Sequence, residues 1–244
     1  MRATEEDHVP SRILFNDKQW PEGYVFPACA ACNRASRHDE QVVAMLARIY
    51  PGATSEKERK AIEERIRAVA HNFPDVLLEM KPTANQVRNA AKRYGWDLSN
   101  GITTSDLPVL SVRGPLVNAA IAHFGRKLFS ALYYKHLGHA LPATSGIAVK
   151  WYTNVQIDND EIPRALEPVV RSWPTLVRSN TKLDDQFFYR YGVADTKRVA
   201  AFLAFFRRSF AMLGYVHLDA AELGQPESAT IVRPFNWSAA ASTA

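Results

Sequence analysis

Apolar positions recur at helical spacing through the first part of the chain and at strand spacing through the second. From Asp39 an amphipathic helix is predicted, with Val42, Met45, Leu46 and Ile49 on one face and Pro51 and Gly52 ending it. Ahead of it, the short polar stretch Glu6 to Phe15, with Pro27 before Cys29, reads as a loop and a short hairpin. Ser55 and Glu58 have the spacing of a capping box that opens a charged helix through about His71, with Ile62, Ile66 and Val69 inward. Thr83 and Gln86 open a further short helix to about Tyr94, and Asn100, Gly101 and a Ser/Thr run signal a loop. A long helix follows: Pro115 sits in its first turn, Leu116, Ala120, Phe124, Leu128 and Leu132 repeat along it, and Gly138 closes it after Lys135 and His136.

Beyond Pro142 the period drops to two. Ile147, Val149 and Trp151 alternate with Ala148 and Lys150, and Phe187, Tyr189 and Tyr191 with Phe188 and Arg190, so both segments are expected as strands. Val199 to Leu218 suits a buried helix or a strand pair broken near Arg207 and Arg208, and its aromatic content favours strands. Ser238 to Ala244 reads as a frayed tail. The expected class is α+β, with a small module over residues 1–50 and a larger α+β part over 51–244, helical and then β-rich, to which no motif gives a function.

Composition narrows the partners. The 244 residues, 47% of them hydrophobic, can bury a full core. The longest apolar stretch, Val199 to Phe206, is far short of the roughly 20 residues of a membrane-spanning helix. Glu5, Glu6 and Asp7 stand where a signal sequence would be basic and then greasy, so a soluble, cytoplasmic chain with no membrane partner is expected. The net charge is +5 and the pI about 9.2, which favours a polyanionic partner. Residues 1–44 hold five Lys/Arg against seven Asp/Glu, net −2, so the remaining 200 residues carry +7 and must supply most phosphate contacts. The two cysteines, Cys29 and Cys32, have a C-x-x-C spacing that suits a metal or a redox pair better than a disulfide framework.

Three segments in order carry a recognisable chemistry: Asp7-His8-Val9-Pro10, then Phe26-Pro27-Ala28-Cys29-Ala30-Ala31-Cys32-Asn33, then Asp39-Glu40 on a helix. Together, over residues 5–46, they resemble the HNH (ββα-metal) endonuclease family. The resemblance implies a ββα-metal fold for the N-terminal module, His8 as general base, and Asp7 and Asn33 as ligands of one Mg²⁺ or Mn²⁺ ion. That assignment is chemically coherent: a neutral imidazole can take a proton from water, and carboxylate and amide oxygens are the hard donors such ions prefer. Cys29 and Cys32 are a candidate structural-metal pair, but two thiolates make half of a four-ligand zinc site and the family's second C-x-x-C is not met in the six residues before Asp7. Nor is the family's middle asparagine, which orients the base, found between Asp17 and Cys32.

Each feature also has a plainer reading. His38 is a reserve ligand or a solvated helix residue. Arg126, Lys127, Lys135, His136, His139, Arg207 and Arg208 could meet phosphates or belong to solvated faces. Trp151, Tyr152, Phe187, Phe188, Tyr189 and Tyr191 are expected in the core rather than stacked on bases. The expected function is a metal-dependent endonuclease acting on nucleic acid, DNA before RNA. The rivals are a degenerate HNH-like module that grips nucleic acid without cutting it, and a protein-interaction module.

Overall fold

A computed structural model of the chain describes residues 4–49, 55–96, 109–158, 175–178, 183, 185–194, 196, 198–224 and 229–234. It divides into two compact units: Met1–Tyr50 together with Ala120–Ala244, and Pro51–Ala119. The expected terminators Pro51 and Gly52, the loop at Asn100 and Gly101, and the tail from Ser238 lie outside the described residues.

The first unit opens with strands β1 (Glu5–His8) and β2 (Val25–Ala28), antiparallel, with Asp7 opposite Phe26 and His8 opposite Val25. Helix α1 (Ala30–Leu46) follows directly. It begins well before Asp39, the expected start, because the extended Cys29 caps it: the Cys29 sulfur accepts a hydrogen bond from the Cys32 amide at 3.1 Å. Asp39 therefore lies inside the helix, and Val42, Val43, Met45 and Leu46 form its buried end.

The second unit is helical: α2 (Glu56–Asn72), α3 (Pro74–Glu79) and α4 (Ala84–Tyr94). Both expected capping boxes are formed, Ser55 with Glu58 and Thr83 with Gln86, and Gly95 ends α4 in the left-handed conformation at φ 65°. Helix α3 is not signalled by periodicity. Its Glu79 carboxylate accepts from the amides of Leu116 and Val117 at 2.9 Å, capping the next helix, α5 (Pro115–Leu137), from a distant part of the chain.

The rest of the first unit is a six-stranded sheet built from β3 (Gly146–Thr153), β4 (Thr175–Arg178), β5 (Phe187–Val193), β6 (Val199–Phe206), β7 (Phe210–His217) and β8 (Thr230–Val232), with a short helix α6 (Asn154–Asp158) after β3. The spatial order is β4-β5-β6-β7-β3-β8, every neighbouring pair antiparallel. The strand reading of Val199 to Leu218 holds: β6 and β7 form a hairpin whose turn places Arg207 at φ 53°.

From Ala120 onward α5 packs on this sheet, and two glycines permit the close approach. A Cβ on Gly125 would sit 2.7 Å from Val149, and one on Gly214 would sit 2.3 Å from the Phe129 ring. Phe129 stacks on Phe202 at 6.2 Å and Phe124 meets Phe206 edge-on at 5.6 Å. The N-terminal segment joins the same core, since Phe15 and Tyr24 meet the Phe187 ring edge-on at 6.4 and 6.0 Å. Compact grouping thus differs from the expected division at residue 50, because apolar groups before that point are buried against strands that follow residue 146. The protein has helices and sheets in largely separate stretches, the expected α+β class. Among the described residues no helix is long and apolar enough to cross a membrane.

Candidate functional site

Strand β1 delivers Asp7 and His8, and the first turn of α1 delivers Asn33, to one cleft of about 350 Å³ whose walls include Arg12, Arg37 and Glu40. The three expected site residues are therefore brought together. The hairpin register sets β1 beside β2, and β2 runs into α1 within two residues, so two short elements bring separate segments to one cleft.

His8 is the last residue of β1 and is half-buried. Its ring meets Trp20 edge-on, centroids 4.9 Å apart, while the Arg12 guanidinium lies 4.2 Å over the same indole. Trp20 thus packs beside the imidazole in the stretch where the sequence offers no orienting asparagine. Arg12 and Arg37 are exposed on the cleft walls, the place from which a cation can meet a phosphate in water.

Asp7 is fixed by a partner that comes from far along the chain. Lys127 Nζ, on α5, lies 2.5 Å from Asp7 Oδ2, forms an ion pair with Glu40 Oε1, and donates to Ser36 Oγ at 2.9 Å. Ser36 Oγ is itself 2.9 Å from Glu40 Oε1. The Lys127 and Asp7 side chains are each 12% exposed, so this ion pair is mostly desolvated and the Asp7 carboxylate has little freedom to turn. One ammonium between two carboxylates leaves that trio with a formal charge of −1, and Arg12, Arg37 and Glu6 on the cleft walls bring the total to zero.

Asn33 Nδ2 donates to Glu5 Oε2 at 3.1 Å, which turns its carbonyl oxygen away from that partner. With Asp7 Oδ2 held by Lys127, Asp7 Oδ1 and Asn33 Oδ1 remain as hard oxygen donors, with no hydrogen bond to the described residues. Such a pair fits an ion that keeps several waters, as Mg²⁺ does. Among the described residues no group of three or more His, Cys, Asp or Glu side chains is placed to hold a metal, so protein donors alone do not build a closed site.

Cys29 and Cys32 are joined as a disulfide, Cα atoms 5.3 Å apart, at the start of α1. Joined in this way they offer no thiolate to a metal, and they close the turn that leads into Asn33. His38 is exposed on α1 and is not part of the cleft wall.

Several of the basic side chains that could meet phosphates or belong to solvated faces make contacts within the protein. Lys135 donates to the Gly23 carbonyl at 2.9 Å and lies over the Tyr24 ring, Arg207 donates to Asn16 and Gln186, and His136 stacks on Tyr191 at 3.7 Å. Arg126 is only 4% exposed, and burial lowers its pKa while the charge of Asp39 works the other way. His139 and Arg208 are exposed. The aromatics behave as expected, with Tyr152, Phe187 and Tyr189 buried and Trp151, Phe188 and Tyr191 half-buried.

Sequence reasoning singles out Glu40 and Lys127 but does not pair them with Asp7, and it gives no part to Ser36. The i, i+4 spacing of Ser36 and Glu40 hints that they share a helix face, but no local pattern reveals which α5 lysine reaches Asp7. No family description matches the chain, and neither a curated protein nor a solved structure matches it.

Proposed function

We propose that the cleft hydrolyses phosphodiester bonds in nucleic acid with the help of a divalent cation, in the manner of the HNH endonucleases that residues 5–46 resemble. The observation that carries this reading is the convergence of Asp7, His8 and Asn33 on one cleft with exposed Arg12 and Arg37 on its walls. A phosphate drawn in by the two arginines is met by His8, which takes a proton from the attacking water. Lys127 holds Asp7 in place and offsets part of the charge that Asp7 and Glu40 share. Asp7 Oδ1 and Asn33 Oδ1 would hold a Mg²⁺ or Mn²⁺ ion, which when bound polarises the phosphate and neutralises charge on the leaving oxygen. DNA is the favoured substrate on the strength of the resemblance alone.

A second reading has its own support. Lys127 already supplies a positive charge between Asp7 and Glu40, which suits a module that grips nucleic acid without cutting it. Nicking of supercoiled plasmid separates the two. The nuclease reading expects nicking in Mg²⁺ or Mn²⁺ that stops on adding EDTA. Binding that weakens steeply with salt, with no nicking by folded protein in either ion, would establish the non-cutting module instead.

A further inference from the structure

A second hollow, of about 320 Å³, adjoins the cleft, and Asp7 and Asn33 line both. Its walls are mostly apolar, formed by Phe26, Pro27, Tyr134 and Leu141. Tyr134 is 37% exposed and meets Phe26 edge-on at 6.3 Å. The lining also carries polar groups. Ser130 Oγ is buried with no hydrogen-bond partner among the described residues, and Arg126, 4% exposed, lines the same hollow.

We propose that this hollow is a subsite for one unstacked nucleobase, next to the phosphate bound at His8 and Asp7, and that the preferred substrate is therefore single-stranded or locally unpaired nucleic acid. A base has a flat apolar face and a polar edge, which the Tyr134 ring and the Ser130 hydroxyl match in turn. A base also hangs from the sugar attached to its phosphate, so a base pocket must sit beside the phosphate site, as this one does through Asp7 and Asn33. A paired and stacked base cannot enter a pocket without leaving its duplex, which costs free energy that an unpaired strand does not spend. The subsite rests on the proposed cleavage site only for the position of the phosphate.

The test measures binding, in EDTA so that nothing is cut, of an oligodeoxynucleotide carrying one 2-aminopurine, read by the fluorescence of that base. The strand is expected to bind with a fluorescence change, and its duplex at least about tenfold more weakly. Tyr134→Ala should lose roughly five- to a hundredfold in affinity for the strand, the range of a lost base–aromatic stack, while Tyr134→Phe retains it. An oligoribonucleotide that binds through Tyr134 equally well supports the subsite and shows that it reads the base rather than the sugar. Equal binding of strand and duplex, or undiminished binding by a folded Tyr134→Ala protein, overturns the proposal. Cleavage is not needed for this readout. Tyr134-dependent strand binding without plasmid nicking keeps the subsite and removes the nuclease, whereas nicking with Tyr134-independent binding does the reverse.

Discussion

The cleft and the sheet beneath it are ordered in different ways. In the sheet and α5, Phe129, Leu132, Phe202, Leu203 and Met212 are fully buried, and β6 and β7 are paired on both sides along nearly their whole length. Strands β1 and β2 have only four residues each, with Glu5, Glu6 and Val25 exposed, and a lone two-stranded hairpin is marginal in water. What holds the cleft comes largely from the other region: Lys127 to Asp7, Lys135 to Gly23, and the Tyr24 hydroxyl to Tyr189 at 3.2 Å. Asp7 and His8, two of the proposed site residues, thus sit on a strand too short to hold itself, and contacts from α5 and the sheet help to position it.

The most disruptive way to test that dependence is to damage the core outside the cleft lining. Phe202→Ala removes a fully buried ring that stacks on Phe129, and should cost about 3–5 kcal/mol in denaturant unfolding, with any cleft activity falling in step with the folded fraction. A variant that unfolds the sheet yet leaves the cleft working would break the comparison.

Lys127→Ala attacks the link itself. It strands the Asp7 and Glu40 carboxylates together in a mostly buried place, and roughly 2–4 kcal/mol of stability should be lost. Millimolar Ca²⁺ or Mn²⁺ should restore part of that loss in thermal melts, since a divalent ion can replace the ammonium between the carboxylates. A variant whose melting ignores these ions would show that the cleft has no appetite for cations.

The smallest effect is a pH dependence on the supporting side. Burial, with help from the neighbouring Lys135 charge, holds the His136 pKa down to about 4, and its Nε2 lies 2.8 Å from the Tyr189 hydroxyl. In the unfolded chain the imidazole takes up its proton as pH falls through the ordinary value of 6.5, whereas in the folded chain it resists until about 4. The contribution is therefore fully present above pH 6.5 and is lost between there and pH 4, on the order of 1–2 kcal/mol after allowing for solvent screening. Unfolding measured across that window should be flatter for His136→Gln than for the wild type.

These two regions were legible from the sequence to different depths. Period-two patterns at Ile147 to Trp151 and Phe187 to Tyr191 locate β3 and β5, and the capping boxes at Ser55 and Thr83 start α2 and α4 where the structure has them. Such signals are local and strong. The start of α1 was not legible, because a cysteine cap is uncommon and the apolar face of that helix begins only at Val42. Asp7, His8 and Asn33 are reached only through the resemblance of residues 5–46 to the HNH family, and the structure lines one cleft with all three. Lys127 and Glu40 could not be paired with Asp7, since a lysine that meets a carboxylate 120 residues away leaves no trace in any local window.

The central claim is that His8 in this cleft performs the proton transfer that cuts a phosphodiester. Single-turnover nicking of plasmid in Mn²⁺, wild type beside His8→Ala, tests it most directly. The account predicts nicking by the wild type and a rate about 10²- to 10⁴-fold lower for a folded His8→Ala protein that still binds the plasmid. Equal rates from the two proteins would contradict it.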